Sequence, residues 1–285
     1  MSAETGTRSA ARFEASYAPL RPERLPLGEI AVLPWDGEIF GFCVADYRPG
    51  PLAAQPGGAA ALRQDLEAWA HLHSAELVAC RVPAEFPSTV TALVEAGFRF
   101  VDLQMRATLP RLDPRRLDPC RLSIRTAVRE DHASIGEIAG RSFRFGRYHA
   151  DPFFPAELAG RRFRIWIEQA LARPSPGTWI GALGPPGQPV GFVHAERDGE
   201  LADIRLVAAD PEKAGLAGPA LLIGALHVLA ADGATRVTAQ LSAGNSAALN
   251  MYASARFHFH QPEVVLHWSR PGAPHMRPSS APDRK

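Results

Sequence analysis

Apolar residues recur at helical spacing over Leu62, Leu66, Trp69, Ala70 and His73, run together over 76–82, and alternate strictly with polar neighbours at Val101, Leu103, Met105, Ala107 and Leu109. These periods predict a helix, a buried strand and a half-buried strand in turn. An apolar helix over 90–96 lies between the last two, with Gly97 placed to end it in the left-handed conformation. The order of this first part is β, α, β, α, β. Upstream, Trp35, Phe40 and Phe42 read as core residues of a first strand.

After residue 109 the pattern breaks at Pro-Arg-Leu-Asp-Pro-Arg-Arg-Leu-Asp-Pro, a near-duplication whose prolines forbid a continuous helix. The same logic then resumes with more parts. A strand over 123–128 and a helix over 132–142 come first, then a helix with Phe163, Trp166, Ile167, Ala170 and Leu171 on one stripe. Strands over 179–183, 190–196 and 201–208 follow. A helix then turns Leu221, Leu222, Ala225, Val228 and Leu229 inward, before a strand over 235–241, a short helix around Tyr252 and a last strand near 264–268. Both parts also pass from a helix into a strand through an aromatic, Phe98 in one and Phe257 in the other.

At 285 residues with 46% apolar content the chain can build two cores. The expected division is a mobile N-terminus over 1–22, a smaller α/β domain over 23–109, a linker over 110–122, a second domain over 123–270 and a mobile tail over 271–285. The 31 basic and 30 acidic residues leave a formal charge of +1, which argues against nucleic acid or membrane as partner and for a small molecule. Cys43, Cys80 and Cys120 fit neither a disulfide framework nor a zinc site and read as reduced thiols of a cytoplasmic protein. No signal peptide or membrane span is expected.

The densest chemistry lies in Asn245-x-x-Ala248-x-x-x-Tyr252-x-x-x-Arg256-Phe257. Seven residues are about two helical turns, so a capping Asn and a phenol share one face with a small Ala between them, leaving room for a slender ligand. The motif resembles the last motif of the GNAT acyl-CoA N-acyltransferase superfamily, which has Gly where Arg256 stands. The resemblance implies a GNAT fold with a mixed sheet, preceded here by a degenerate GNAT-like domain. It also implies acetyl-CoA as co-substrate, Asn245 and Ala248 beside the pantetheine arm, and Tyr252 as the acid that protonates the leaving thiolate. With Arg256 in place of Gly, a differently built helix end is expected.

The superfamily grips the CoA pyrophosphate with backbone amides at the start of its central helix, and a helix N-terminus suits this task because its first amides are unpaired. The matching stretch runs from Asp210 through Gly215, Ala217 and Gly218 to Leu222, with Glu212 where Arg or Gln is usual and Pro219 removing one donor. By itself it also reads as an ordinary strand-to-helix turn. The preceding strand, at Leu206, Val207 and Ala208, is the expected backbone seat of the thioester.

Asp198-Gly199 signals a two-residue hairpin. Pairing Arg197 with Glu200 places His194 across from Asp203, a pairing that would raise the imidazole's basicity and suit a base acting on an amine. The same pair also reads as a solvated cross-strand contact.

Arg144, Arg147, Tyr148 and His149 mix cations and aromatics, as a site for an acceptor carrying a nucleotide diphosphate would, or as a solvated loop would. Together with Leu33-Pro-Trp35-Asp36-Gly-Glu-Ile-Phe40-Gly41-Phe42 they resemble the TDP-fucosamine acetyltransferase branch of the superfamily. That resemblance implies a nucleotide-linked deoxy-amino-sugar as acceptor. His258 and His260 share a strand face but lack companions for a metal site, so no metal is expected. Gly-x-Ser-x-Gly elbows, Walker loops and Cys-x-x-Cys pairs are absent from the sequence. The reading is an acyltransferase acting on a small amine, as monomer or homodimer. Its rivals are another amine acceptor (amino acid, peptide terminus or antibiotic) and a catalytically silent GNAT binding module.

Overall fold

A computed structural model describes residues 19–51, 55, 57–119, 122–213 and 217–276. The ends expected to be mobile, and Cys120, fall largely or wholly outside these residues; Cys43 and Cys80 are free thiols. Among the described residues no helix is long and apolar enough to cross a membrane, and no group of His, Cys, Asp or Glu is placed to hold a metal ion. The chain divides into two compact units: Met1–Gln104 with Phe145–Ala159 and Gln261–Lys285, and Met105–Arg144 with Gly160–His260. The division thus passes through two strands, and the proline-rich stretch over 110–122 belongs to the second unit.

The first unit contains β1 (Glu23–Leu25), β2 (Gly28–Val32), α1 (Pro34–Phe40), β3 (Cys43–Pro49), α2 (Gly58–Leu72), β4 (Ala75–Pro83) and α3 (Pro87–Glu95). The strand β5 (Arg99–Leu109) starts in this unit, and β11 (His258–Ser269) ends in it. Strands β1, β2 and β3 pair antiparallel, β3 and β4 run parallel, and β4 pairs antiparallel with β11 from Leu77↔Ser269 to Pro83↔Glu263. The helical stripe predicted over 62–70 is the buried face of α2: Leu62, Leu66, Trp69 and Ala70 pack on Tyr47, Val78, Leu93, Phe98, Leu266 and Trp268.

One expected element changes type. The stretch expected to open a first strand holds a helix over Pro34–Phe40 instead, because Pro34 enters its first turn without losing a needed donor and Gly41 ends it at φ 79°. Phe40 and Phe42 are buried as expected, but they pack on Tyr148, Phe154 and each other.

The second unit contains β6 (Ile124–Thr126), α4 (His132–Ser142), most of α6 (Ala156–Ala172), β7 (Thr178–Leu183), β8 (Gly191–Asp198), β9 (Leu201–Ala209), α7 (Ala217–Ala231), β10 (Arg236–Ser242) and α8 (Ser246–Ser254), while the short α5 (Arg147–Ala150) lies in the first. Strands β6 to β9 form an antiparallel meander and β10 joins β9 in parallel. One sheet face packs Val193, Ala195, Ala202, Ile204 and Val237 against Leu221, Leu222, Ala225 and Leu229 of α7 and Tyr252 of α8. The other packs Ile180, Phe192, Leu206 and Ala208 against Ile135 and Ile138 of α4 and Ile167 of α6. Helices α4 and α6 approach so closely that a Cβ on Gly160 would lie 2.5 Å from the Gly140 carbonyl.

Candidate functional site

The site starts from an irregularity in β9. Its partner β8 matches Ala195 to Ile204 but His194 to Leu206, so Arg205 is an extra residue, a β-bulge. The parallel pairing of β9 with β10 runs from Leu201↔Arg236 to Ile204↔Ala239 and ends there, although β9 continues to Ala209 and β10 to Ser242. Beyond the bulge the two strands therefore part, and the β10-facing edge of Leu206, Val207 and Ala208 offers backbone donors and acceptors without a strand partner. A backbone edge of this kind can take an extended amide-bearing ligand as a strand takes its neighbour.

Helix α8 lies at the same end of β10. Asn245 caps it, accepting a hydrogen bond from the Ala248 amide at 3.0 Å. Tyr252 is 3% exposed and meets the Phe257 ring edge-on at 4.9 Å. Burial, with a further contribution from the Asp203 carboxylate, pushes its phenol above the usual tyrosine range. The expectation of a differently built helix end does not hold. Arg256 adopts φ 64°, its amide donates to the Ala253 carbonyl at 2.9 Å and the Phe257 amide to the Tyr252 carbonyl at 3.0 Å. That is the closure a glycine would make.

The helix α7 opens at Ala217, so the amides of Ala217, Gly218 and Ala220 have no carbonyl one turn back within the helix, and Pro219 has no amide to leave unpaired. Gly215 lies outside the described residues. Ahead of the helix the buried Asp210 holds the turn, accepting from the Glu212 amide at 3.0 Å and from the Arg141 guanidinium at 2.6 Å. Glu212, the departure noted in the sequence, adds a 3.8 Å ion pair to the same arginine.

The predicted pairing of His194 with Asp203 is not formed. The hairpin closes on Asp198↔Leu201 instead of Arg197 with Glu200, so Glu196 lies across from Asp203 and the bulge places His194 across from Leu206. A charged row results: His194 Nε2 is 3.7 Å from Glu196 Oε1, Arg205 bridges Glu196 at 3.2 Å and Asp203 at 2.8 Å, and Thr238 donates to Asp203 at 2.9 Å. Burial first, then the Arg205 charge, pushes His194 down to about 3, so its ring is neutral and a weak base. Glu196 moves the other way, raised chiefly by burial against the opposing pull of Arg205. Sequence reasoning missed Glu196 because moving the turn by one residue shifts every cross-strand partner by two, and that decides which side chain occupies the place.

Arg144 is exposed in the second unit, whereas Phe145–Ala159 belongs to the first. There Arg147 and Tyr148 are buried and both hold Asp36, at 3.1 and 2.7 Å, with the guanidinium stacked over the tyrosine ring. His149 is partly buried beside them. Asp151 nearby accepts from the Arg99 guanidinium and is 2.7 Å from His267 Nδ1.

No protein-family model and no curated protein matches the chain. Solved structures do. The chain is similar to a GCN5-related N-acetyltransferase from Sphaerobacter thermophilus (17% identity, TM-score 0.60, covering 91% of this chain and 80% of that one). It is similar to a GCN5-related N-acetyltransferase from Kribbella flavida (16%, 0.58, 95% and 97%). A tandem GNAT protein from the clavulanic acid biosynthesis pathway also matches (14%, 0.56, 90% and 86%). At these identities the likeness is one of fold, and the fold is the mixed α/β GNAT fold with a tandem precedent.

Proposed function

We propose that the protein is an acyl-CoA-dependent N-acyltransferase that moves an acetyl group from acetyl-CoA to the amine of a small acceptor. The observation that carries this reading is the parting of β9 and β10 at the Arg205 bulge, with a buried phenol on α8 beside it. The pantetheine amides take the free edge of Leu206 to Ala208 and pass the face of α8 that begins at Asn245 and Ala248. The pyrophosphate takes the amides of Ala217 and Gly218, with Gly215 ahead of them.

The amine nitrogen attacks the thioester carbon, the C–S bond breaks, and the sulfur leaves as thiolate. Tyr252 donates its phenolic proton to that sulfur, and the proton that the nitrogen sheds as it becomes an amide restores the phenol through water. A phenol raised by burial is a reluctant donor in water, but a thiolate departing into the same dry surroundings is raised as well, so the match survives. The ammonium proton leaves earlier, through Glu196 or water in the row of His194, Glu196, Arg205 and Asp203. Glu196 is a better acceptor than His194, because its raised carboxyl holds a proton that His194 near 3 would release.

The finer reading of the acceptor is a nucleotide-linked deoxy-amino-sugar. The resemblance of residues 33–42 and 144–151 to the TDP-fucosamine branch and the exposed guanidinium of Arg144 support it; the commitment of Arg147 and Tyr148 to Asp36 leaves it less to hold. Calorimetric titration with acetyl-CoA, followed by free-thiol release over a panel of nucleotide-linked amino-sugars, amino acids and simple amines, tests both levels. Saturable binding with amine-dependent thiol release is expected. A well-folded chain that binds no acetyl-CoA would overturn the reading, and release with simple amines alone would overturn the sugar.

A further inference from the structure

The second unit carries a cleft that the acyl-transfer reading does not use. It has a volume of about 230 Å³ and lies at the C-terminal end of α8, among residues 109–118, Ile223, 254–256 and His258. That is room for roughly seven or eight waters, the scale of a small metabolite. Asn245 heads the opposite end of α8, and nine helical residues at about 1.5 Å each separate the two ends by about 13 Å. Its lining combines the apolar Leu109, Leu117, Ile223 and Ala255 with a polar rim of three guanidinium groups, Arg111, Arg116 and Arg256, the His258 imidazole and the carboxylates of Asp113 and Asp118.

Two facts make the rim more than a solvated surface. Asp113 accepts from the Arg115 amide at 3.1 Å and pairs with Arg116 at 3.6 Å, but among the described residues no ion pair or hydrogen bond engages the guanidinium of Arg111 or Arg256. Arg256 also stands at φ 64°, at a turn where glycine would be unstrained. The helix end closes through backbone amides that any residue supplies, so an adverse conformation places an unengaged guanidinium on the lip of a cleft. Strained positions of this sort are retained where the side chain has a task.

We propose that this cleft binds a small phosphate ester, its phosphate held by Arg111 and Arg256 with help from Arg116 and His258, and its apolar body resting on Leu117 and Ile223. Guanidinium pairs favour phosphate through parallel N–H donors, and the apolar floor distinguishes an ester from the free ion. The carboxylate of Asp118, also on the rim, selects against ligands with more negative charge at that side.

Calorimetry on the full chain with AMP, adenosine and inorganic phosphate tests the site, in the presence and absence of excess CoA, with Arg256→Gly and Arg111→Ala as variants. AMP is expected to bind whether or not CoA is present, and to weaken when sodium chloride is raised; adenosine and phosphate bind at least tenfold more weakly. Arg256→Gly has two opposed effects: a Tm higher by about 2–4 °C from relief of the backbone, and AMP affinity at least tenfold lower. Arg111→Ala lowers affinity without the gain in Tm. No AMP binding, AMP binding that CoA displaces, or affinity unchanged in Arg256→Gly would each overturn the proposal. A chain that binds AMP this way but no CoA keeps the cleft and loses the acyl-transfer reading, so the two fail separately.

Discussion

At the scale of single residues, Tyr252 and Arg256 lie four positions apart on one helix and test different physics. Removing the phenolic oxygen in Tyr252→Phe leaves the ring's packing on Phe257 in place, so under the proposed mechanism the fold and acetyl-CoA binding survive while the proton for the thiolate is lost. Turnover is expected to fall by about 10²–10⁴-fold with acetyl-CoA affinity nearly unchanged. Steady-state kinetics beside binding calorimetry decides this, and equal turnover would remove the acid role. At Arg256 the left-handed backbone costs a residue with a Cβ about 1 kcal/mol, so Arg256→Gly should stabilise the chain by about that amount in urea denaturation. A loss of stability would mean that the side chain makes contacts outweighing the strain. The sequence pointed to both residues, yet it could not say that arginine would take the glycine conformation. That outcome is set by the carbonyls of Tyr252 and Ala253, which need amides from the next turn whatever the side chain is.

At the scale of elements, what was legible and what was not divide along physical lines. The amphipathic stripes of α2 and α6, the capped α8 and the alternating β5 follow from local periodicity, so the chain announced them. The helix over Pro34–Phe40 was hidden because its seven residues are too short to show a period, and Pro34 and Gly41, the residues at its two ends, also serve turns and edge strands. The base region was hidden for a different reason. A turn moved by one residue exchanged His194 for Glu196 opposite Asp203, the Arg205 bulge then set His194 opposite Leu206, and neither event leaves a trace in composition. Glu196→Gln is accordingly expected to lower turnover and to flatten the acid limb of the pH–rate profile. His194→Asn, which alters a ring already neutral, should leave that limb in place. The cap is independent of both: Asn245→Ala should cost about 1 kcal/mol of stability, because the Ala248 amide loses its acceptor. Chemical denaturation of the variant measures it, and an unchanged midpoint would mean that another acceptor takes the amide.

At the scale of the whole molecule, the two units share a construction that the sequence showed only as an echo. In each, a strand runs parallel to the next strand through an intervening helix, and a second helix closes before an aromatic that enters the following strand. The Phe98 amide returns to the Leu93 carbonyl and the Phe257 amide to the Tyr252 carbonyl, both at 3.0 Å, with Gly97 and Arg256 at the left-handed residue between. The echo was faint because a shared fold constrains which positions are buried and how helices end, not which apolar residue fills a place. Each unit also buries one imidazole, and this sets how the chain responds to acid. Burial holds His267 down to about 4, against the raising influence of Asp151, and holds His194 down to about 3, while an unfolded histidine titrates at about 6.5. Between those values the unfolded chain takes up protons that the folded chain refuses, so stability is fully present above about pH 6.5 and declines as the pH falls toward 4. Asp151, held near 2 despite burial by His267 and Arg99, stays ionised in the folded chain and adds to the decline only as the pH nears 4, where an unfolded aspartate titrates, whereas the raised Glu196 opposes the trend over its lower part. Urea midpoints at pH 7.5, 6 and 5 should fall in that order, and His267→Gln, which keeps an amide donor for Asp151 but removes the titration, should make the fall shallower. A variant whose midpoint drops by the same amount at every pH would show that His267 packs without titrating and would leave the acid response to other groups.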